Sequence, residues 1–332
     1  MAIERAFAAA IPAAAFAALT ACAGPGSNVP SAAPLADARS AAYDRATGSS
    51  GFNFTTVDDP ADPSFNEILG VNDGSKLVGF YGSGSASDPS EGYIVVSPFG
   101  STNFREEAYP GAADTELTGL NDKKTFVGFF RRMNNDIRGL VLVSGIWNNY
   151  KHPRGMPRGK SVTELLGVNS SDLAVGYYKD SSGVNEAFTL DIPSGTYHPL
   201  SPPGGNNSIA TGISGRGDIV GYLQKSGHSV GFLLRKGSYT EFSYPSATDT
   251  KFLGVTVYDQ IVGSYTESSG ATHGFLLTNP LKPSIAWKQI DEPNAAGTTV
   301  VTGINQSDDI AGYYVDSSGN TNGFFATPQS LR

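Results

Sequence analysis

Short apolar runs, broken by glycine and aromatic positions and separated by turn residues, fill the chain from residue 51 to near residue 326. The phrase Gly70-Val71-Asn72, a turn, then Leu77-Val78-Gly79-Phe80-Tyr81 recurs with small changes five more times. Aligned on the first glycine, the copies start at Gly70, Gly119, Gly167, Gly212, Gly254 and Gly303, giving successive steps of 49, 48, 45, 42 and 49 residues. A period of this size marks one supersecondary unit copied along the chain. Outside an N-terminal leader, no stretch keeps apolar residues at helical spacing, so the pattern predicts an all-β body.

The last copy shows how each unit divides. Thr299 to Asn305 leads into a turn at Gln306-Ser307-Asp308, then Asp309 to Tyr314, a second turn at Asp316-Ser317-Ser318-Gly319, and Gly323-Phe324-Phe325. Two tight hairpins therefore join three short strands. A fourth strand is expected in the segments ending in proline: Phe104 to Pro110, Trp147 to Pro153, Tyr197 to Pro202, Tyr239 to Pro245 and Trp287 to Pro293. The missing sixth copy lies at the other end of the body, where residues 51–60 carry the same pattern and end at Pro60. Four-stranded units with a displaced terminal strand predict a six-bladed β-propeller of antiparallel blades, with repeats starting near 66, 115, 163, 208, 250 and 299. Residues 51–328 form the propeller, and the strand 51–60 completes the last blade. An open solenoid would need atypical polar capping repeats, and the first and last copies here are as regular as the others.

The repeat resembles the HAF-type extracellular repeat of exported bacterial proteins, through Gly303-Ile304-Asn305, Ile219-Val220-Gly221-Tyr222 and His273-Gly274-Phe275-Leu276. The resemblance covers nearly the whole body and implies a secreted or surface propeller-like protein. It brings no defined activity. Likeness to WD40 or kelch propellers is poor, since no Trp-Asp dipeptide occurs and a Gly-Gly pair stands only at Gly204-Gly205.

Residues 1–21 read as a secretory leader: Arg5, an apolar stretch from Ala6 to Leu19, then small residues before Cys22. Leu19-Thr20-Ala21-Cys22 resembles the bacterial lipobox, which implies that Cys22, the single cysteine of the chain, is lipidated and becomes the mature N-terminus. A lipid thioether also disposes of a thiol that has no partner. Ala23 in the next position implies, by the same resemblance, the outer membrane if the envelope is Gram-negative. Residues 22–50 are rich in Ala, Ser, Pro and Gly and are expected to be a flexible tether. Its 28 residues after Cys22 would span on the order of 30 Å.

Charge narrows the partners. The formal net charge of −8 is spread without a basic run, so nucleic acid is not an expected partner. The expected partners are the membrane, through the N-terminal lipid, and a glycan or an envelope protein; the body is expected to be monomeric.

The repeat also disposes of several motifs. Arg216-Gly217-Asp218 resembles an adhesion tripeptide but fills a turn that other copies fill with Gly74-Ser75-Lys76. Asn72, Asn121, Asn169 and Asn305, with Ser214 and Thr256 in the other copies, start a turn and are expected to bond their own backbone. His152, His198 and His228 lack metal-ligand spacing, and His273 occupies a repeat position suited to packing. No phosphate loop, zinc-protease motif or nucleophile elbow occurs, and no cofactor is expected.

One constellation varies where the repeat is otherwise regular. Three residues before the repeat glycine stand Glu67, Glu116, Glu164, Ile209, Lys251 and Val300. Rotation about a propeller axis would bring the three carboxylates and Lys251 to one channel mouth. Asp114 and Asp249, five residues before their glycines, would share that face, with Arg154, Arg158 and Lys160 as rim contacts from the connection before the third copy. Such a cluster suits ligand binding, acid/base chemistry or a hard divalent cation such as calcium. A solvated rim is the bland alternative. Three functional classes follow: a binding or scaffolding module, an envelope polysaccharide-acting hydrolase or lyase using those carboxylates, and a purely structural envelope protein.

Overall fold

The computed structural model describes residues 42–44, 51–85 and 88–329. It is an all-β chain in a β-propeller arrangement of four-stranded antiparallel blades. The first blade runs Asn66–Val71, Leu77–Tyr81, Glu91–Val95, Phe104–Glu107, each strand pairing with the next. Three more blades repeat this order, with inner strands Ala112–Leu120, Thr163–Val168 and Asn206–Ile213.

The remaining strands do not separate in the same way. They form one nine-stranded sheet, because a single parallel pairing of Thr272 with Thr298 links the group begun by Asp249–Val255 to the group begun by Thr298–Ile304. At the outer edge of the second group, Phe52–Thr56 pairs antiparallel with Thr321–Pro328. The N-terminal strand thus supplies the fourth strand that the last repeat lacks. Ala42–Asp44, inside the segment expected to be a tether, forms a short strand parallel to Ala286–Ile290. The leader, Cys22 and the rest of 22–50 lie outside the described residues.

Two sets of glycines follow from one backbone irregularity. Every inner strand shifts register just before its repeat glycine, between Ile68 and Gly70 in Asn66–Val71 and at the equivalent residues in the inner strands of the other five repeats. The bulge presses the inner strand onto its neighbour: a Cβ on Gly79 would lie 2.1 Å from the carbonyl oxygen of Glu67, and one on Gly176 would lie 1.9 Å from that of Glu164. This is why the second strand carries its Val-Gly or Ala-Gly pair. The repeat glycines themselves meet around the axis. A Cβ on Gly70 would lie 3.2 Å from the Cα of Gly119, one on Gly254 3.3 Å from that of Gly303, and one on Gly303 3.6 Å from that of Gly70.

The bulged residue itself alternates around the axis as Leu69, Thr118, Leu166, Thr211, Leu253, Thr302. The three leucines join the axial hydrophobic cluster. The three threonines instead donate to the following inner strand, at the carbonyls of Leu165 (2.7 Å), Phe252 (2.7 Å) and Ile68 (2.8 Å). Large and small residues thus share a crowded layer while each buried hydroxyl keeps a partner.

A second latch recurs four residues before five of the six repeat glycines, the exception being the copy of Gly212, where Ser208 accepts the N–H of Ala187. The hydroxyls of Thr115, Thr163, Thr250 and Thr299 accept the backbone N–H of Tyr109, His152, Tyr244 and Glu292, and Asn66 Oδ1 does the same for Asp59. These acceptors fix the residue before Pro60, Pro110, Pro153, Pro245 and Pro293. There Tyr109, His152 and Tyr244 stack on Phe130, Tyr178 and Tyr265 at 3.8, 3.6 and 3.6 Å. His152 is therefore a packing ring, and burial lowers its pKa to about 4, so it stays neutral.

Candidate functional site

The axis has two unlike ends. At the level where the inner strands begin, Glu67, Glu116, Glu164, Ile209, Lys251 and Val300 lie directly across from Phe80, Phe129, Tyr177, Tyr222, Ser264 and Tyr313 of the second strands. Directly opposed residues share a sheet face, so each acidic side chain has an aromatic neighbour. Only the blade carrying Lys251 has a small partner, Ser264, and the Lys251 ammonium lies 5.5 Å from the centre of the Tyr222 ring.

The three glutamates act on one another electrostatically, second to burial, which is the larger cause. Glu164 and Glu67 both raise the pKa of Glu116, and Glu164 bonds the Tyr177 hydroxyl and acts on Tyr222. Their surroundings differ from the expected open mouth, and equally from a solvated rim. Glu67 and Glu164 are 0% and 1% exposed and Glu116 is 9% exposed. Phe65, Ile137 and Val162, themselves partly buried, pack against the axial cluster. Burial drives Glu164 up to about 8 and Glu116 well above the ordinary carboxylate range. Burial thus favours the protonated form of Glu116 and of Glu164, and Oε2 of each has no hydrogen-bond partner. Among the described residues, no group of three or more His, Cys, Asp or Glu side chains is arranged to hold a metal ion.

Asp114 and Asp249 are engaged between blades, although the Asp114 charge also contributes to raising Glu116. Each accepts a backbone N–H at or just before the start of the third strand of the preceding blade, Ser90 at 3.1 Å and Ser229 at 2.7 Å, and Asn207 does the same for Asn185 at 3.1 Å. Asp114 also pairs with Arg131. They latch neighbouring blades, a role that the −5 spacing alone did not distinguish from a shared open face. Arg154, Arg158 and Lys160 are exposed on their loop. That loop is fixed at its end by Asp136, whose Oδ1 accepts the N–H of Gly159 and both the N–H and hydroxyl of Ser161. The adhesion-like tripeptide is not presented: Asp218 is buried and held by Arg235 through two bonds of 3.0 and 2.9 Å. His273 bonds Asp291 at 2.8 Å and lies against Tyr265.

The opposite end is open, and the sequence reading passed over it. Beyond the glycine ring, residues from all the inner strands and their turns line a funnel of about 270 Å³. Val71, Leu120, Val168, Ile213, Val255 and Ile304, each one past a repeat glycine, supply its apolar lining. Next comes the Asn/Ser/Thr layer, whose expected self-bonding is present in every copy. Asn72, Asn121, Asn169, Ser214, Thr256 and Asn305 each accept a backbone N–H from their own turn. The amide nitrogens of Asn121, Asn169 and Asn305 also reach the backbone carbonyls of Asn169, Ser214 and Asn72. These amides therefore knit the funnel wall.

The outermost layer is Asp73, Asp122, Ser170, Gly215, Val257 and Gln306. It is polar and acidic on one side and apolar on the other. Asp73 accepts the N–H of Gln306 at 2.8 Å, and Asp122 accepts the N–H of Asp73 at 3.1 Å. The two carboxyls lie within hydrogen-bonding reach of each other, and burial followed by the Asp73 charge raises the pKa of Asp122. Next to Val257 in its turn, Tyr258 is 66% exposed.

Chain path and site together define a β-propeller with an axial cavity. No protein-family model matches the chain, and no curated protein sequence does. Among solved structures it is similar to the six-bladed β-propeller fungal lectin of Aleuria aurantia, described for its fucose recognition (11% identity, TM-score 0.49, 80% of this chain and 96% of that one). It is similar also to AofleA from Arthrobotrys oligospora (13%, 0.47, 84% and 83%). A third is the sialidase of Trypanosoma rangeli (10%, 0.48, 84% of this chain but 57% of that one). Likeness at this level concerns the course of the chain and carries nothing about ligand or chemistry.

Proposed function

We propose that this chain is an exported, lipid-anchored binding module, a six-bladed propeller that takes the end of a glycan in its axial funnel. The observation that carries the reading is the contrast between the two ends of the axis. The funnel opens to solvent and gathers residues from every repeat. The carboxylates that an envelope hydrolase or lyase would use are buried, at 0%, 9% and 1% exposure for Glu67, Glu116 and Glu164, which does not suit attack on a polymer.

Six blades is the reading favoured by the glycine ring, by six bulged inner strands and by the N-terminal strand on the last repeat; the nine-stranded sheet is then two blades joined by one parallel pairing. Export and anchoring rest on the lipobox-like Leu19-Thr20-Ala21-Cys22 and the HAF-like repeats, and residues between Cys22 and the body would hold it off the membrane. A funnel of about 270 Å³ lies just under the range of roughly 300–1,000 Å³ that holds drug-sized ligands, which suits one sugar ring better than a folded epitope.

The test is a glycan array probed with the full-length chain and with Val257→Trp, which fills the funnel from its apolar side. Selective glycan binding lost in Val257→Trp supports the reading. Binding that the variant retains in full moves the site elsewhere and overturns it.

A further inference from the structure

The geometry points to a second binding face, at the end of the propeller away from the funnel, formed by Arg132, Arg154, Arg158 and Lys160 and fitted to an anionic polysaccharide. It goes beyond the funnel reading and does not depend on it. Residues 131–160 carry seven Lys or Arg and one acid, Asp136, in a chain of formal net charge −8. These cations form no run in sequence, and folding gathers them. The turn at 132–136 and the connection 151–162 both lie where the inner strands Ala112–Leu120 and Thr163–Val168 begin, whereas the funnel lies where inner strands end.

The two loops are fixed to each other. Asp136 is fully buried and accepts the N–H of Gly159 at 2.6 Å and the N–H and hydroxyl of Ser161, while the N–H of Ile137 donates to the Ser161 carbonyl at 2.8 Å. On the other side the N–H of Met156 donates to the Lys179 carbonyl at 3.1 Å, and His152 stacks on Tyr178. A loop held in this way presents its side chains without an ordering penalty on binding.

Its charges are unbalanced. Arg131 pairs with Asp114, and Arg138 lies 3.9 Å from Asp136. Asp180, which follows Lys179, is committed to its own turn, accepting the N–H groups of Ser182 and Val184. Arg132, Arg154, Arg158 and Lys160 are exposed, and among the described residues none of their side chains has a hydrogen bond or ion pair. Like charges fixed on adjacent loops repel one another, and an anionic partner relieves that repulsion. One exposed ion pair contributes little, so useful affinity needs several at once, from a polymer that repeats its charge. Three of the four cations are arginines, whose planar fork takes a carboxylate or a sulfate through two bonds. The remaining surface narrows the polymer. Neither loop carries Phe, Tyr or Trp, so nucleic-acid bases have no ring to stack on and a bilayer has no interfacial anchor. Met133, 78% exposed, is the one large apolar side chain that these loops expose, too little for the apolar centre of a protein interface. A hydroxyl-rich polyanion needs neither.

The experiment titrates the full-length chain by calorimetry with polygalacturonate against its methyl ester, and with dextran sulfate against dextran. The expected result is binding of at least one polyanion, about tenfold or more tighter than its neutral counterpart, and weakening by about tenfold or more as salt rises from about 50 to 200 mM. Arg154→Gln with Arg158→Gln and Lys160→Gln removes side chains that hold nothing in the fold, so it should keep the wild-type melting temperature and lose about tenfold or more in polyanion affinity. Arg132→Gln, on the other loop, should weaken binding independently. Lys236→Gln, an exposed cation in a hairpin turn at the funnel end, should bind as the wild type does. Failure of both polyanions, equal binding of the neutral polymers, or full retention by the triple variant overturns the assignment. Tighter binding of phosphatidylglycerol vesicles or single-stranded DNA replaces the polysaccharide and overturns it as well. Loss of polyanion binding in Val257→Trp would move the polymer to the funnel and overturn this face, while the glycan array on the triple variant tests the funnel separately.

Discussion

Thr302 donates a 2.8 Å hydrogen bond to the backbone carbonyl of Ile68, 234 residues away in sequence. Thr118 and Thr211 make the same bond to the next inner strand, so the contact between the last and first repeats uses the chemistry of contacts inside the array. Thr302 also reaches the Ala311 carbonyl at 3.1 Å. Thr302→Val keeps the shape and removes the hydroxyl. The expected loss is about 1–2 kcal/mol, from net contributions of roughly 0.5–1.5 kcal/mol per bond, read by urea unfolding. An unchanged midpoint would show that the seam between the ends carries no stability.

The same seam predicts unequal truncations. Removing residues 51–60 takes away the strand paired with Thr321–Pro328 and the buried side chains Phe52 and Val57, leaving an open strand edge. The melting temperature should fall by many degrees, with aggregation on heating. Removing residues 27–50 takes away only the short parallel strand Ala42–Asp44 among described elements and should shift melting by little. Equal melting temperatures for the two truncations would rule out a structural role for the N-terminal strand.

Gly212→Ala tests the axial ring. A Cβ there would lie 2.7 Å from the carbonyl oxygen of Leu253 and 3.2 Å from the Cα of Gly254, both backbone atoms that cannot turn aside. Overpacking of this kind costs about 1–3 kcal/mol. Gly215→Ala, in the adjacent turn, meets only the Val257 and Ser170 side chains at 3.5 and 3.8 Å and is expected to be nearly neutral. A chemical-denaturation comparison that ranked the two in the reverse order would refute the packing role.

The buried carboxyls make stability depend on pH with a definite sign. Burial raises Glu164 from 4.5 in the unfolded chain to about 8 in the folded one, and Glu116 moves in the same direction. Folding then takes up protons between those values, so this contribution is fully present below pH 4.5 and is lost progressively as pH rises to about 8. Glu164→Gln removes the dependence while keeping a hydrogen-bonding group beside Tyr177. The melting temperature of the variant minus that of the wild type should therefore grow from pH 4.5 to about 8 and level off above it. A difference that stays flat across this window would mean that the carboxyl is ionised and solvated.

Much of the fold was legible because the repeat compares each residue with five others. Turn-capping by Asn72 and its equivalents could be read from chemistry common to Asn, Ser and Thr, and every copy forms that bond. The displaced N-terminal strand could be counted, since five proline-ended segments served six repeats. The Leu/Thr alternation at 69, 118, 166, 211, 253 and 302 was equally visible and signals a layer too crowded for six large side chains. Asp73 and Asp122 were hidden, because a turn acid in one repeat looks like ordinary solvated filler until two copies are seen to meet.

By itself, then, the sequence determined the unit, its strands, the residues that bend and cap it, and which positions break its regularity, because those follow from local backbone chemistry and from comparison among copies. Only the tertiary structure decided which end of the axis is open. Glu67, Glu116 and Glu164 are buried, where their spacing alone left a channel mouth or a solvated rim open, and Phe65, Ile137 and Val162, drawn from three different repeats, pack against the axial cluster. The residues one to three positions past each glycine remain around an open cavity. Whether a layer is plugged or hollow depends on the summed volume of side chains arriving from all the blades at once, a quantity that no single copy of the repeat contains.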